Sequence, residues 1–298
     1  MTPKPAVTVI VGPTASGKTS FAIEKALKRN GAVISADSRQ VYSKLDVGTA
    51  KPKSSWNTPA HGDDVSEVID GVPHYLLNVR GPTGSLTLPQ WRQAATAAID
   101  ATLAKGQHPI IAGGTMLYVD SILFNYNIPE VPPNEKLREE LEQLPTPELA
   151  AKLQMYDTAA LDFVELHNRR RIIRALEVVH ATGMPFSVLR RKQEPLYEFD
   201  IIGLFPGWKA LDAAIDARIT TMLATGLIEE TKKLREDYGV DLPLLKTMNY
   251  AEAGKLIDGI LTEEEAIKAM SHANKRYARR QMRWWKGRDD VWWKDAQD

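Results

Sequence analysis

The sequence predicts an α/β protein: a parallel sheet flanked by helices, with a helical insertion. A β-branched run, Val7-Thr8-Val9-Ile10-Val11, stops at a glycine-containing segment and gives way to a helical pattern from Lys18 to Lys28. Further short apolar runs alternate with helical stretches, which is the grammar of a parallel sheet. After Tyr118, Pro129, Pro132, Pro133, Pro145 and Pro147 break that alternation within a helix-rich region.

The elements follow in order. Ala32 to Ile34 forms a second strand, and its polar exit, Ser35-Ala36-Asp37-Ser38, belongs at the carboxyl end of the sheet, where ligands bind. Lys51 to Gly71, rich in Pro, Asn, Asp and Gly, reads as a loop. Trp91 to Lys105 is helical, and Pro109 to Ala112 is a third strand ending in Gly113-Gly114-Thr115. Asn134 is placed to cap the first helix of the insertion, which runs through Arg169 to His180 and ends near Pro195. Asp200 to Phe205 returns to the sheet, and the chain is helical from Lys209 onward. Thr262 and Glu265 have capping-box spacing. The expected division is residues 1–122 for the first part of the core, 123–196 for the insertion and 197–298 for the completion of the core.

Composition narrows the possible classes. The 298 residues hold 43% apolar and 26% charged side chains, ordinary for a globular protein. Cysteine is absent, which excludes disulfides and thiolate chemistry. The first apolar run is too short for a signal peptide or a membrane span, so a cytoplasmic protein without membrane attachment is expected, and a monomer. Basic and acidic residues balance at 38 each, so any polyanion partner must be read from how charge is distributed.

Gly12-Pro13-Thr14-Ala15-Ser16-Gly17-Lys18-Thr19 fits G-x-x-x-x-G-K-[ST] and lies between a strand and a helix, as a phosphate cradle must. The sheet is therefore of the P-loop NTPase-like kind. Backbone N–H groups of the loop and the helix N-terminus face phosphate oxygens, Lys18 adds a full charge, and the Thr19 hydroxyl can hold Mg²⁺. A nucleotidase of this class ends another core strand in a Mg²⁺-holding acid, and here that strand ends in Gly113-Gly114-Thr115. The second strand instead delivers Asp37, a candidate base. A small-molecule or nucleotide kinase shares the loop and the sheet and stays open as the alternative.

Several segments together resemble the tRNA dimethylallyltransferase (tRNA isopentenyltransferase) family, bacterial type. They are the octet at 12–19, Ile34-Ser35-Ala36-Asp37-Ser38-Arg39-Gln40-Val41-Tyr42, Asp46-Val47-Gly48-Thr49-Ala50-Lys51-Pro52 and Val72-Pro73-His74-Tyr75-Leu76. Further along stand Gly113-Gly114-Thr115-Met116-Leu117-Tyr118, Arg170-Arg171-Ile172-Ile173-Arg174-Ala175-Leu176-Glu177-Val178 and Tyr277-Ala278-Arg279-Arg280-Gln281. The resemblance implies a phosphate-loop core and a helical insertion clasping a tRNA anticodon arm, with dimethylallyl diphosphate as donor and an adenine beside the anticodon as acceptor. It implies Asp37 as base, Thr115 near the reacting centre, and Arg218 with Gly12, Thr14, Ala15, Ser16, Gly17, Lys18 and Thr19 on the diphosphate. Ser38 and Gln40 would hold the base. The chain departs from the family where Asn249-Tyr250-Ala251-Glu252 replaces a Gly-Tyr pair followed by Glu, so a different local turn is expected. It departs again at Leu166-His167-Asn168, where many relatives carry a His-Pro-Asn-Asp run.

From His272 to Arg288 there is no acidic residue, and Arg276, Arg279, Arg280 and Arg283 share one helical face. Met270, Ala273, Tyr277 and Trp284 form an adjacent apolar stripe by which such a helix would dock. Arg170 and Arg171 lie in a second basic run. Both runs suit phosphate contacts with RNA.

Overall fold

The computed structural model describes residues 3–53, 66–189 and 191–294. Among them, seven strands form one sheet: β1 (Ala6–Val11), β2 (Gly31–Ser35), β3 (Ser66–Ile69), β4 (Val72–Tyr75), β5 (His108–Ala112), β6 (Glu198–Leu204) and β7 (Trp292–Lys294). The order across the sheet is β3-β4-β2-β5-β1-β6-β7, and every pairing is parallel except β3 with β4. β1, β2 and β5 are almost wholly buried, as strands covered on both faces must be. Helix α1 (Lys18–Arg29) lays Ala22 and Ala26 against Ile10, Val33, Ile110 and Ile202.

The sheet order positions the site. From β1 the chain crosses β5 to reach β2, and from β5 it crosses β1 to reach β6, so the connections diverge around the central pair. Their carboxyl ends open a crevice at that reversal. Register keeps those ends level: Ile10 pairs with Ala112, and Ser35 with Ala112 on the other side. Pairing continues past the strands, since Ala36 N donates to Ala112 O at 2.9 Å and Thr115 N to Ala36 O at 3.0 Å.

The segment read as a loop from Lys51 to Gly71 is in part a strand. β3 joins β4 through Asp70-Gly71, both at positive φ (49° and 80°), which is the two-residue hairpin turn of type I′. The Asp-Gly pair signalled that hairpin, and reading composition alone hid it; residues 54–65 lie outside the described residues. β7 was also unexpected. It is a three-residue edge strand, and the Trp293 ring occupies the space where a Cβ on Gly203 would stand.

After β5 come α2's successors in the chain, with α2 (Leu88–Ala104) itself preceding that strand and α3 (Met116–Leu123) following it. The described residues divide into two compact units. One lies within Met1–Leu86, Trp91–Val119 and Leu196–Asp298; the other comprises Thr87–Gln90 and Asp120–Pro195. The second unit holds α4 (Glu135–Glu142), α5 (Thr146–Tyr156), α6 (Arg169–Thr182) and α7 (Phe186–Leu189) around Leu149, Leu153, Ile172 and Leu176. Asn134 caps α4, its Oδ1 accepting from Leu137 N at 3.0 Å, and Asn168 caps α6 in the same way. The first unit ends in α8 (Trp208–Ala224), α9 (Leu227–Tyr238), α10 (Tyr250–Ile257) and α11 (Glu263–Trp285). The capping box at Thr262 and Glu265 is formed as its spacing predicts. Among the described residues, no helix is long and apolar enough to cross a membrane.

Candidate active site

The phosphate loop connects β1 to α1. Gly12 has φ 138°, and a Cβ there would stand 2.4 Å from Leu204 O, so only glycine fits. Ala15 (φ 62°) and Gly17 (φ 85°) are left-handed, which curls the backbone into a concave cradle of N–H groups. For Ala15 that conformation costs about 1 kcal/mol, strain of the kind that collects at binding loops. Lys18 Nζ folds onto the loop's own carbonyls, donating to Gly12 O at 3.0 Å and Pro13 O at 2.5 Å. Burial pushes its ammonium down to about 7; Arg218 adds to that shift and Asp37 opposes it.

A cavity of about 260 Å³ opens from this loop and is lined by Asp37, Gln40, Arg218, Tyr277 and Gln281 besides the loop itself. Asp37 is the one carboxylate among its lining residues. Its Oδ1 accepts from Arg39 N at 2.8 Å and Gln40 N at 3.2 Å, so it also caps the turn that presents it. Thr115 Oγ1 accepts from Ser38 N at 2.9 Å, fastening that turn to the exit of β5. The structure thus gives Thr115 and Ser38 a mutual contact behind Asp37, while Gln40 Nε2 donates to Thr49 O and Ala50 O at 3.2 and 3.3 Å.

The missing acid at the end of β5 has a steric reason. A Cβ at Gly113 would lie 2.3 Å from the Ala36 backbone, and one at Gly114 would lie 2.6 Å from Gln281 Nε2. Backbone closes position 113 to any side chain, whereas at 114 only the tip of the Gln281 side chain stands in the way.

Arg218 comes from α8. Its Nη2 donates to Asn274 Oδ1 at 2.9 Å, whereas Nε is buried without a partner. Burial lowers its pKa, and Asp37 partly offsets the effect. A buried guanidinium with unspent hydrogen-bonding capacity beside a phosphate loop is suited to an anion. Ser16 Oγ in the loop is likewise buried and unpartnered. So is Nε2 of His74, a residue of the cavity wall; its Nδ1 donates to Val72 O at 3.0 Å, which leaves Nε2 as an acceptor while the ring is neutral.

Three contributors escaped the sequence reading. Gln281 Oε1 accepts from Thr14 N at 2.7 Å and its Nε2 donates to Gly114 O at 2.8 Å, clamping the phosphate loop to the exit of β5. Tyr277 donates to the same Gly114 O at 2.9 Å, and burial pushes its phenol up to about 12. Asn274 holds Arg218. The docking stripe of α11 is turned relative to the expected Met270, Ala273, Tyr277 and Trp284: the deeply buried positions are Ala266, Met270, Asn274, Ala278, Gln281, Met282 and Trp285. Two amides at helical spacing within an apolar stripe were the available signal.

The basic face of α11 is exposed at Arg276, Arg279, Arg280 and Arg283. It is partly neutralised from α8, since Arg279 pairs with Asp212 at 3.1 Å and stacks over Trp208, and Lys275 pairs with Asp216 at 2.7 Å. In the second unit Arg170 and Arg171 are exposed, and Arg171 reaches Glu165 at 3.0 Å. Arg174 is spent inside that unit on Val131 O and Glu177.

Fold and site together define a phosphate-loop protein whose cavity, among the described residues, is lined by one carboxylate, Asp37. The sequence profile of the IPP transferase family matches residues 40–288, and that of isopentenyl transferase matches residues 5–57. A tRNA dimethylallyltransferase from a Synechococcus strain is 39% identical over 296 residues, covering 99% of this chain and 84% of the relative. One from Anoxybacillus flavithermus is 35% identical, covering 98% and 91%. The solved tRNA delta(2)-isopentenylpyrophosphate transferase of Staphylococcus epidermidis superposes with a TM-score of 0.67 at 31% identity, covering 99% of this chain and 94% of that one. A eukaryotic dimethylallyltransferase acting on tRNA shares the fold, with a TM-score of 0.76 at 24% identity over 98% of this chain and 74% of its own. The chain belongs to the tRNA dimethylallyltransferase family.

Proposed function

We propose that this chain transfers the dimethylallyl group of dimethylallyl diphosphate to the exocyclic amine of the adenine 3′ to the anticodon of tRNA, releasing diphosphate. The observation that carries this reading is Asp37, the one carboxylate among the described residues that line a cavity shared with the phosphate loop, Lys18 and Arg218. The amine is a weak nucleophile because its lone pair is delocalised into the ring, so a placed carboxylate that takes its proton assists attack. The nitrogen forms a bond to the allylic carbon, the carbon–oxygen bond breaks, and its electron pair leaves with diphosphate. Loop N–H groups, Lys18 and Arg218 meet the charge that develops there.

Mg²⁺ would be held by the Thr19 hydroxyl, which lines the cavity, together with phosphate oxygens of the donor and water. When bound it neutralises charge on the departing diphosphate. Ser38 and Gln40 would hold the flipped base, and Arg170, Arg171, Arg276, Arg279, Arg280 and Arg283 would meet the anticodon arm. The reading places the protein in the cytoplasm as a monomer. A kinase is disfavoured, since the relatives that match nearly the whole chain are tRNA dimethylallyltransferases.

Labelled dimethylallyl diphosphate should label tRNA carrying adenine after its anticodon and leave AMP unlabelled; equal labelling of AMP would remove the RNA acceptor. Reversing Arg276 and Arg283 to glutamate, which spares the pair made by Arg279, is expected to weaken tRNA binding and to reduce the slope of log affinity against log salt by about one or two. An unchanged slope would return that face to a solvated surface.

A further inference from the structure

A chain of buried amides runs behind the site, and its direction is set at three points. Asn249 Nδ2 donates to Gly48 O at 2.8 Å, which leaves Asn249 Oδ1 to accept from Asn274 Nδ2, also at 2.8 Å. Asn274 Nδ2 donates as well to Met270 O at 2.9 Å, which leaves Asn274 Oδ1 to accept from Arg218 Nη2. Carbonyls only accept and a guanidinium only donates, so neither amide can flip without losing a bond. Asn249 is 3% exposed and Asn274 is fully buried, so water cannot replace those bonds.

The far end of the chain is equally fixed. The Glu230 carboxylate accepts from Asp46 N, Val47 N and Gly48 N at 2.9, 2.8 and 3.0 Å and from the Tyr250 hydroxyl at 2.5 Å. The next residues, Thr49 and Ala50, line the cavity and receive the Gln40 amide. Asn249 therefore stands between the loop beside Gln40 and the guanidinium beside Lys18. It holds that place at φ 73° and ψ −49°, a region where glycine is the comfortable residue. The turn uses a glycine-type backbone and carries a side chain that reaches Arg218 through Asn274.

We propose that Asn249 is a positioning residue, which through Asn274 aims the Arg218 guanidinium at the diphosphate and ties that aim to the 46–50 loop on the acceptor side. The proposal rests on the reading of the cavity as a diphosphate site. The chain fixes the Nη2 end of a guanidinium that lines the cavity and whose Nε, buried without a hydrogen-bond partner, keeps unused donor capacity. Loss of the Asn249 side chain leaves the Asn274 amide held by Met270 O alone on its donor side, so the acceptor that receives Arg218 Nη2 is less firmly fixed.

The test uses Asn249→Gly, which suits the backbone and removes only the side chain, and Asn274→Ala, which suits the helix. Calorimetry with inorganic diphosphate and Mg²⁺ reads Arg218 without any acceptor. Each variant, and the double variant, should bind diphosphate about tenfold more weakly, the scale of one hydrogen bond to a charged group. Prenyl transfer should lose kcat while KM for tRNA moves less than about twofold, because the Glu230 carboxylate still holds the 46–50 loop in either variant. In an Arg218→Ala background neither change should weaken diphosphate further, whereas a merely structural role would add its loss there too. Unchanged diphosphate affinity in both single variants, or an equal loss without Arg218, overturns the assignment. Failure of the wild-type protein to bind diphosphate would sink the diphosphate-site reading instead.

Discussion

Asp37→Asn is expected to lower turnover by roughly a hundred- to ten-thousandfold, the range a general base contributes. Asparagine is the informative substitution because Asp37 has two roles. Its Oδ1 receives Arg39 N and Gln40 N, and the amide oxygen of asparagine can keep both bonds. The turn then survives, along with the link from Ser38 N to Thr115, and what is lost is the ability to take a proton. Donor binding should hold or tighten, since a negative charge is removed from beside Lys18 and Arg218. Single-turnover transfer and equilibrium diphosphate binding separate the two effects. Near-normal turnover in the asparagine variant would leave Asp37 as a turn cap and nothing more.

The contiguous parts of this site were legible in the sequence. The phosphate loop is eight consecutive residues whose geometry comes from local backbone conformation, and Asp37 sits at the end of a recognisable apolar run. What escaped was assembled over distance. Gln281 meets Thr14 across 267 positions, and Asn274 meets Arg218 across 56. An amide on a helix gives no sign of being buried until its neighbours are placed, so the stripe of α11 was set one position away from where it packs. The hairpin at Asp70-Gly71 shows the reverse case, a local signal missed because the surrounding composition looked like loop. Charge behaved similarly: the run from His272 to Arg288 contains no acid, yet Asp212 and Asp216 reach it from α8. Sequence could show the basic face and could not show its counter-ions.

Lys18→Met should weaken donor binding by about a hundredfold or more and should abolish a specific pH dependence. In the free protein burial pushes the ammonium down to about 7, with Arg218 adding to the shift, so Lys18 loses its proton within the neutral to alkaline range rather than near the ordinary lysine value. A bound diphosphate supplies the opposing charge and raises that value, so binding takes up a proton. By linkage, affinity falls as pH rises above about 7, by up to about tenfold per unit, until the value in the complex is reached. Calorimetry in buffers of different ionisation enthalpy reads the proton directly. The methionine variant should show no such uptake beyond that of the diphosphate itself. Stability should move the other way. The folded value lies below the ordinary 10.5, so between about pH 7 and 10 the unfolded chain binds the additional proton and stability rises with pH across that window. Methionine removes the buried cation, and the variant should melt higher than wild type at pH 6, with the difference shrinking as pH approaches 10. A wild-type affinity that is flat above pH 7, or a methionine variant that keeps the same proton uptake, would show that Lys18 is not the group that answers the ligand.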